Sequence, residues 1–192
     1  MSDNTLFETT SATAEISLCG QFRTRLTRRW GDASRMIFVM LNPSTADAVR
    51  DDPTIRRCIG FARREGLGGI AVINLFTRRT PSPKALVASD DPKGPDADSA
   101  ITQTVARAKG PREAARWGEK PDVIVCAWGA PPAGPAWWRA MHHDQVERVY
   151  AEAHDMHKRL FSLGTTAGGH PRHPLYLPAD APLVEIKPRP LP

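Results

Sequence analysis

Six apolar residues in succession, Met36-Ile37-Phe38-Val39-Met40-Leu41, stop abruptly at the polar, proline-bearing segment Asn42-Pro43-Ser44-Thr45-Ala46-Asp47. A continuous run of bulky side chains bounded by Arg35 and Asn42-Pro43 suits a central strand covered on both faces. In open α/β sheets ligands bind beyond the carboxyl ends of the strands. Asn42, Ser44, Thr45 and Asp47 place an amide, two hydroxyls and a carboxylate at that point, which makes the segment a candidate binding loop. Asn-Pro-Ser is also ordinary turn chemistry, and the local sequence leaves both readings open.

Two further runs repeat the pattern. The segment from Gly69 to Phe76 carries Asn74 near its end, and the segment from Pro121 to Gly129 is terminated by glycine and prolines. Strands are therefore expected at about residues 36–41, 70–75 and 122–127. Between the first two, Asp52 can cap free N–H groups and Pro53 suits the first helical position. With an apolar stripe of Ile55, Cys58, Ile59 and Ala62, a helix is expected to run to about Glu65 and to end at Gly66. Residues 77–95 read as an ordered excursion over the surface without a regular element, because prolines and turn formers recur in it. Helices are expected over residues 95–108 and 111–118, and helical periodicity through Val146, Val149, Ala153, His157 and Leu160 over residues 137–163. Residues 168–178 hold too many prolines for one regular element and read as a shaped loop leading to a short extended piece.

Upstream, Ile16, Leu18, Phe22, Leu26 and Trp30 alternate with Arg23, Arg25 and Arg29, which marks one or two antiparallel strands. The arginine row is most simply a solvated strand face; a rim that contacts phosphates is the alternative. The order of elements is that of one α/β domain, three layers with a mainly parallel central sheet, over residues 14–192 after a flexible N-terminus of residues 1–13.

Composition restricts the partners. A chain of 192 residues with 41% hydrophobic and 24% charged residues is ordinary for a soluble globular protein, and no apolar run is long enough to span a membrane. The polar start lacks an apolar signal core, so a cytoplasmic location and no membrane partner are expected. Cys19, Cys58 and Cys126 stand apart in apolar or amphipathic segments and read as buried thiols rather than metal ligands. The net charge of +5, most of it from arginine, permits a nucleic-acid or nucleotide partner without requiring one.

Several rare tetrads occur together. Leu41-Asn42-Pro43-Ser44-Thr45-Ala46-Asp47, Asp52-Pro53-Thr54, Asn74-Leu75-Phe76, Ala127-Trp128-Gly129 and His173-Pro174-Leu175-Tyr176 resemble the successive signatures of the bacterial domain of unknown function 1643. Three positions depart from that family's pattern. Ala167 stands where a lysine is usual, Pro81 where a threonine is usual and Ala97 where an asparagine is usual, and each departure removes a polar group. The order of Asn42-Pro43-Ser44, Asn74, Gly129 and His173-Pro174 is also similar to that of the uracil-DNA glycosylase superfamily, with a motif loop after the first core strand and a late His-Pro loop. That resemblance implies a glycosylase-like fold and a hydrolytic site that acts on or binds a base.

Breaking an N-glycosidic bond needs a positioned water, donors for the charge that leaves on the base, and a group matching the base edge. Asn42 or Asp47 can hold the water, Asn74 can pair with a base edge, and His173 can donate to the developing oxyanion or act as an acid. Asn42, Asp47 and His173 are thus the candidate catalytic residues, and Ser44, Thr45, Asn74, Arg79 and His170 the candidate ligand contacts, Arg79 through phosphate. Asp51 and Asp52 form a pair of adjacent carboxylates, although capping accounts for Asp52. His142, His143, His154 and His157 are better read as a solvated helix face than as metal ligands. Neither common glycine-rich phosphate loop is present, and no cofactor is implied. A binding module without catalysis and a small-molecule hydrolase are the competing classes.

Overall fold

Alternate residues of the first apolar run face opposite ways. Met36, Phe38 and Met40 pack with Ile55, Cys58 and Phe61, whereas Ile37 and Val39 pack with Ile101, Val105, Trp138 and Val149. A strand pleat sends successive side chains to opposite faces, so an unbroken apolar run needs a covering layer on each side. The computed structural model describes residues 10–186. The chain forms β1 (Ser11–Ile16), β2 (Arg23–Arg29), β3 (Arg35–Met40), α1 (Pro53–Arg64), β4 (Gly69–Asn74), α2 (Pro83–Val87) and α3 (Ala97–Arg107). It continues through α4 (Pro111–Arg116), β5 (Val123–Cys126), α5 (Ala136–Asp155), β6 (Leu160–Ser162), a 3₁₀ turn (Pro174–Tyr176) and β7 (Val184–Ile186).

The strands make one sheet in the order β1-β2-β4-β3-β5-β6-β7. The central four, β4-β3-β5-β6, are parallel, and β1, β2 and β7 pair antiparallel at the two sides. The three strands expected from the apolar runs lie side by side to within one residue at each end. Helix α1 covers one face, and α3 and α5 cover the other. Asp52 caps α1 by accepting the Ile55 N–H at 2.9 Å, and Gly66, at φ +69°, turns the chain out of the helix. Among the described residues, no helix is long and apolar enough to cross a membrane.

Several expectations need correction. Of the N-terminal segment read as flexible, residues 1–9 lie outside the described residues, but Ser11 to Thr13 belong to β1, where the Thr13 and Thr27 hydroxyls meet at 2.6 Å. The excursion after β4 contains a helix, α2, started by Ser82 and Pro83 in the manner of a cap and first-turn proline. The long periodic segment is two elements. Helix α5 stops at Asp155, His157 takes a left-handed conformation at φ 50°, and Leu160–Ser162 pairs with β5 as a fourth parallel strand. Three residues are too few to show a strand's period against a helix that happens to stay in phase.

The arginine row read as a solvated face is so only in part: Arg25 and Arg29 are half-buried, and Arg23 turns inward, as does Arg28 between them. Arg23 is 2% exposed and Arg28 3%. The register between β1 and β2 shifts between Glu15 and Ile16, so Glu15 faces Arg25, Ile16 faces Arg23, and Thr24 has no opposite number. This bulge sends Arg23 to the buried side that Leu26 and Arg28 share, where strict alternation would have placed it outward. His142 is likewise buried, between Phe76 and Trp138, rather than on a solvated helix face. Cys58 and Cys126 are buried, and burial pushes both thiols well above their usual range, whereas Cys19 is exposed.

Candidate functional site

The chain leaves β3 for α1 on one face and β5 for α5 on the other, which opens a crevice between the carboxyl ends of these adjacent parallel strands. Such a reversal is where ligands of open α/β sheets bind. A cavity of about 390 Å³ lies there. Its walls come from the loop after β3 (Asn42, Ser44, Thr45), the start of α1 (Asp52, Pro53, Thr54), residues 80–83, the turn after β5 (Trp128, Gly129, Ala130) and the late loop (His173, Leu175, Tyr176), with Arg23 of β2. The volume is within the range of small-ligand sites.

Each wall is fixed by local chemistry. The Asn42 side-chain amide donates to the Thr80 hydroxyl at 2.9 Å, the Thr80 carbonyl at 3.2 Å and the Pro43 carbonyl at 3.1 Å. Carbonyls only accept, so the amide nitrogen is fixed on that side and the Asn42 carbonyl oxygen is left as an acceptor. The Thr80 N–H returns to the Pro43 carbonyl at 3.0 Å, which stitches the loop after β3 to the segment after β4. Gly129 adopts φ +77°, and a Cβ there would come within 4.0 Å of the His173 Cβ. The turn after β5 thus abuts the late loop.

His173 is mostly buried, and its Nδ1 accepts the Leu175 N–H at 3.3 Å. Burial lowers its pKa, against the attraction of Asp52, which raises it. At neutral pH the ring is uncharged, and with Nδ1 occupied as acceptor its proton sits on Nε2. Asp52 lines the cavity while one of its oxygens holds the α1 cap. Its neighbour Asp51 turns away to pair with Arg28 at 2.8 Å, so the two carboxylates do not act together.

Arg23 also lines the cavity, which the sequence signalled only through the alternative reading of its arginine row as a phosphate-contacting rim. Its Nη1 donates to the Ala46 carbonyl at 2.9 Å, its Nε has no partner, and it forms no ion pair among the described residues. Burial pulls its pKa down to about 10, Asp52 opposes that shift, and Arg79 and Arg28 add to it. The β1–β2 register was the missing signal, since Arg23 faces the site only because of the bulge.

Of the sequence-predicted residues, Asn42, Ser44, Thr45 and His173 line this one cavity, and Asp47, Asn74, Arg79 and His170 do not. Asp47 spends its carboxylate on the Val49 and Arg50 N–H groups, each at 2.8 Å, and those bonds lower its pKa. It builds the loop; Asp52 is the carboxylate that reaches the cavity. Asn74 is 1% exposed at the end of β4, and neither of its side-chain polar atoms has a partner. Arg79 donates to the Gly20 carbonyl at 3.0 Å, and the His170 N–H to the Thr166 hydroxyl at 3.2 Å. Among the described residues no group of histidine, cysteine and carboxylate side chains is arranged to hold a metal ion. Of the three departures from the family pattern, Pro81 lines the cavity.

A second cavity, of about 380 Å³, lies between α1 and the segment before β7, lined by Arg56, Arg57, Arg64 and Phe61. Its arginines are engaged: Arg57 donates to the Leu177 carbonyl, and Arg64 to the carbonyls of Ala179 and Ala181 at 2.7 and 2.8 Å. They tie down the C-terminal segment.

No curated protein and no solved structure matches the chain. Residues 23–175 match the model of the family described as Protein of unknown function (DUF1643). The matched stretch takes in about four-fifths of the chain, from Arg23 to Leu175, and both of these end residues line the cavity. The chain therefore belongs to the DUF1643 family.

Proposed function

We propose that the cavity binds a base of a nucleic acid or nucleotide and hydrolyses its N-glycosidic bond, as a glycosylase-like enzyme. The observation that carries this reading is the meeting, in one cavity, of the neutral His173, the Asp52 carboxylate and the Asn42 carbonyl oxygen beside the rings of Trp128 and Tyr176. Tyr176, 80% exposed at the mouth, offers a base a stacking surface, while Trp128, buried in the core, forms part of the wall. His173 Nε2–H donates to the oxygen of the base on which charge develops as the bond breaks, while Asp52 and the Asn42 oxygen hold the attacking water. The similar order of Asn42-Pro43-Ser44, Gly129 and His173-Pro174 to the uracil-DNA glycosylase superfamily supports the same reading.

A binding module without turnover is the second reading. It is favoured by Pro81, which brings no polar group to the cavity wall where the family pattern has a threonine. Base release from a panel of nucleosides, nucleotides and oligonucleotides with deaminated or alkylated bases, measured beside equilibrium binding, separates the two. The enzyme reading expects release that falls about 100-fold or more in His173→Ala and in Asp52→Asn with binding retained. Binding without release supports the module, and no binding of any base sinks both.

A further inference from the structure

An inventory of hydrogen-bonding groups in the cavity points to one class of ligand substituent. The Ser44, Thr45 and Thr54 side chains line it, and none of their hydroxyls makes a hydrogen bond among the described residues. Thr54 follows Pro53 at the start of α1, so its N–H has no carbonyl within the helix to reach, while the next N–H, of Ile55, is already held by Asp52. The Arg23 Nε is buried and unpartnered. Against these donors stand few acceptors: the Asn42 oxygen, and the Asp52 carboxylate with one oxygen already engaged. A guanidinium 2% exposed with no ion pair among the described residues is a desolvated cation, costly unless an anion completes it.

We propose that Arg23, the Thr54 N–H and hydroxyl, and the hydroxyls of Ser44 and Thr45 form an anion subsite that takes a phosphate group of the ligand. The bulge at Thr24 directs Arg23 into the cavity, and the partial positive charge at the start of the 12-residue α1 acts in the same direction. Arg79 supplies a further positive charge that Arg23 senses, without lining the cavity. Asp52 also lines the cavity, beyond ion-pair distance from Arg23, and its attraction opposes the shift that burial imposes on the guanidinium. This subsite deepens the base-binding reading and rests on it: the ligand is a phosphorylated nucleoside, free or within a strand, rather than a bare nucleoside.

The test compares binding of a nucleoside, its 5′-monophosphate, an oligonucleotide carrying the same base, and inorganic phosphate, by calorimetry at constant ionic strength with chloride as the reference anion. The monophosphate or the oligonucleotide is expected to bind at least tenfold tighter than the nucleoside. That advantage should vanish in Arg23→Gln, persist in part in Arg23→Lys, and survive in Arg64→Gln, whose arginine belongs to the other cavity. A tighter monophosphate assigns the subsite to free nucleotides, and a tighter oligonucleotide assigns it to strand phosphates. Equal binding of nucleoside and phosphorylated ligands by the wild-type chain overturns the subsite and leaves the base reading standing. Phosphate binding without any preference for a base does the reverse. If Arg23→Gln does not fold, competition in the wild-type chain decides: inorganic phosphate must displace the monophosphate but not the nucleoside, and failure to do so overturns the proposal.

Discussion

At the scale of single residues, buried His142 and half-buried His173 both weaken the fold in acid. His142 packs between Phe76 and Trp138 with its Nε2 unpartnered, and burial, with His170 and His143 nearby, pulls its pKa down to about 4. His173 shifts in the same direction, also through burial. A histidine whose folded pKa is depressed stays neutral in the native state while the unfolded chain takes up a proton. Its contribution is intact above about pH 6.5 and is lost progressively as pH falls toward about 4. For His142 that loss amounts to roughly 3 kcal/mol. Urea unfolding midpoints measured between these pH values should therefore fall steeply for the wild-type chain. The slope should flatten in His142→Phe, which keeps the aromatic packing, and an unchanged slope would show that other groups carry it.

At the scale of elements, caps and turns decide which polar residues are free for chemistry. Asp52 both caps α1 and lines the cavity, and substitution separates the duties. Asp52→Ala should lower stability by about 1 kcal/mol, whereas Asp52→Asn, an equally good cap, should leave stability within a few tenths and change only the site. Matched denaturant titrations read this directly. Asn42 behaves differently because its amide donates to two backbone carbonyls. Asn42→Asp sets a carboxylate against those oxygens and should cost roughly 1–3 kcal/mol, relieved at low pH as the carboxyl regains a proton. If Asn42→Asp unfolds at the wild-type midpoint, the stitch between the two loops is not structural. These assignments also mark the limit of what the sequence conveys. Asp47 and Asp52 look alike as nearby acids, and only the loop conformation, which spends Asp47 on its own turn, shows which one reaches the cavity.

At the scale of the whole molecule, the middle of the sheet was legible because its strands are covered on both faces and carry unbroken apolar runs. The sides were legible only in part: the alternation from Ile16 to Trp30 marks the antiparallel pair β1–β2, but β1 begins in mostly exposed positions ahead of it, and the three residues of β6 hide behind a helical period. Charge is deceptive for a related reason, since composition counts arginines without saying which are sequestered. Arg23 and Arg28 are buried, so on the proposed reading any long-range attraction of a strand would fall to the exposed and half-buried arginines around the sheet and α1. Neutralising about three phosphates predicts a log-log salt slope near −2 for a single-stranded oligonucleotide. Fluorescence titration at several salt concentrations measures it; a slope of about −0.7 confines the charged contact to a single phosphate, and a slope near zero means that no phosphate is neutralised.

The bulge at Thr24 has a consequence for how such a site can diverge. In an extended segment the inward and outward positions behave like two interleaved reading frames, and one supernumerary residue swaps them from that point on. Pairing Thr24 into the ladder would present the threonine to the cavity and return Arg23 to water, whereas losing Thr24 outright would leave Arg23 opposite Ile16 and on the cavity side, with no residue type altered. Which residue this edge of the sheet shows to the ligand therefore depends on whether the extra residue stays bulged or joins the ladder.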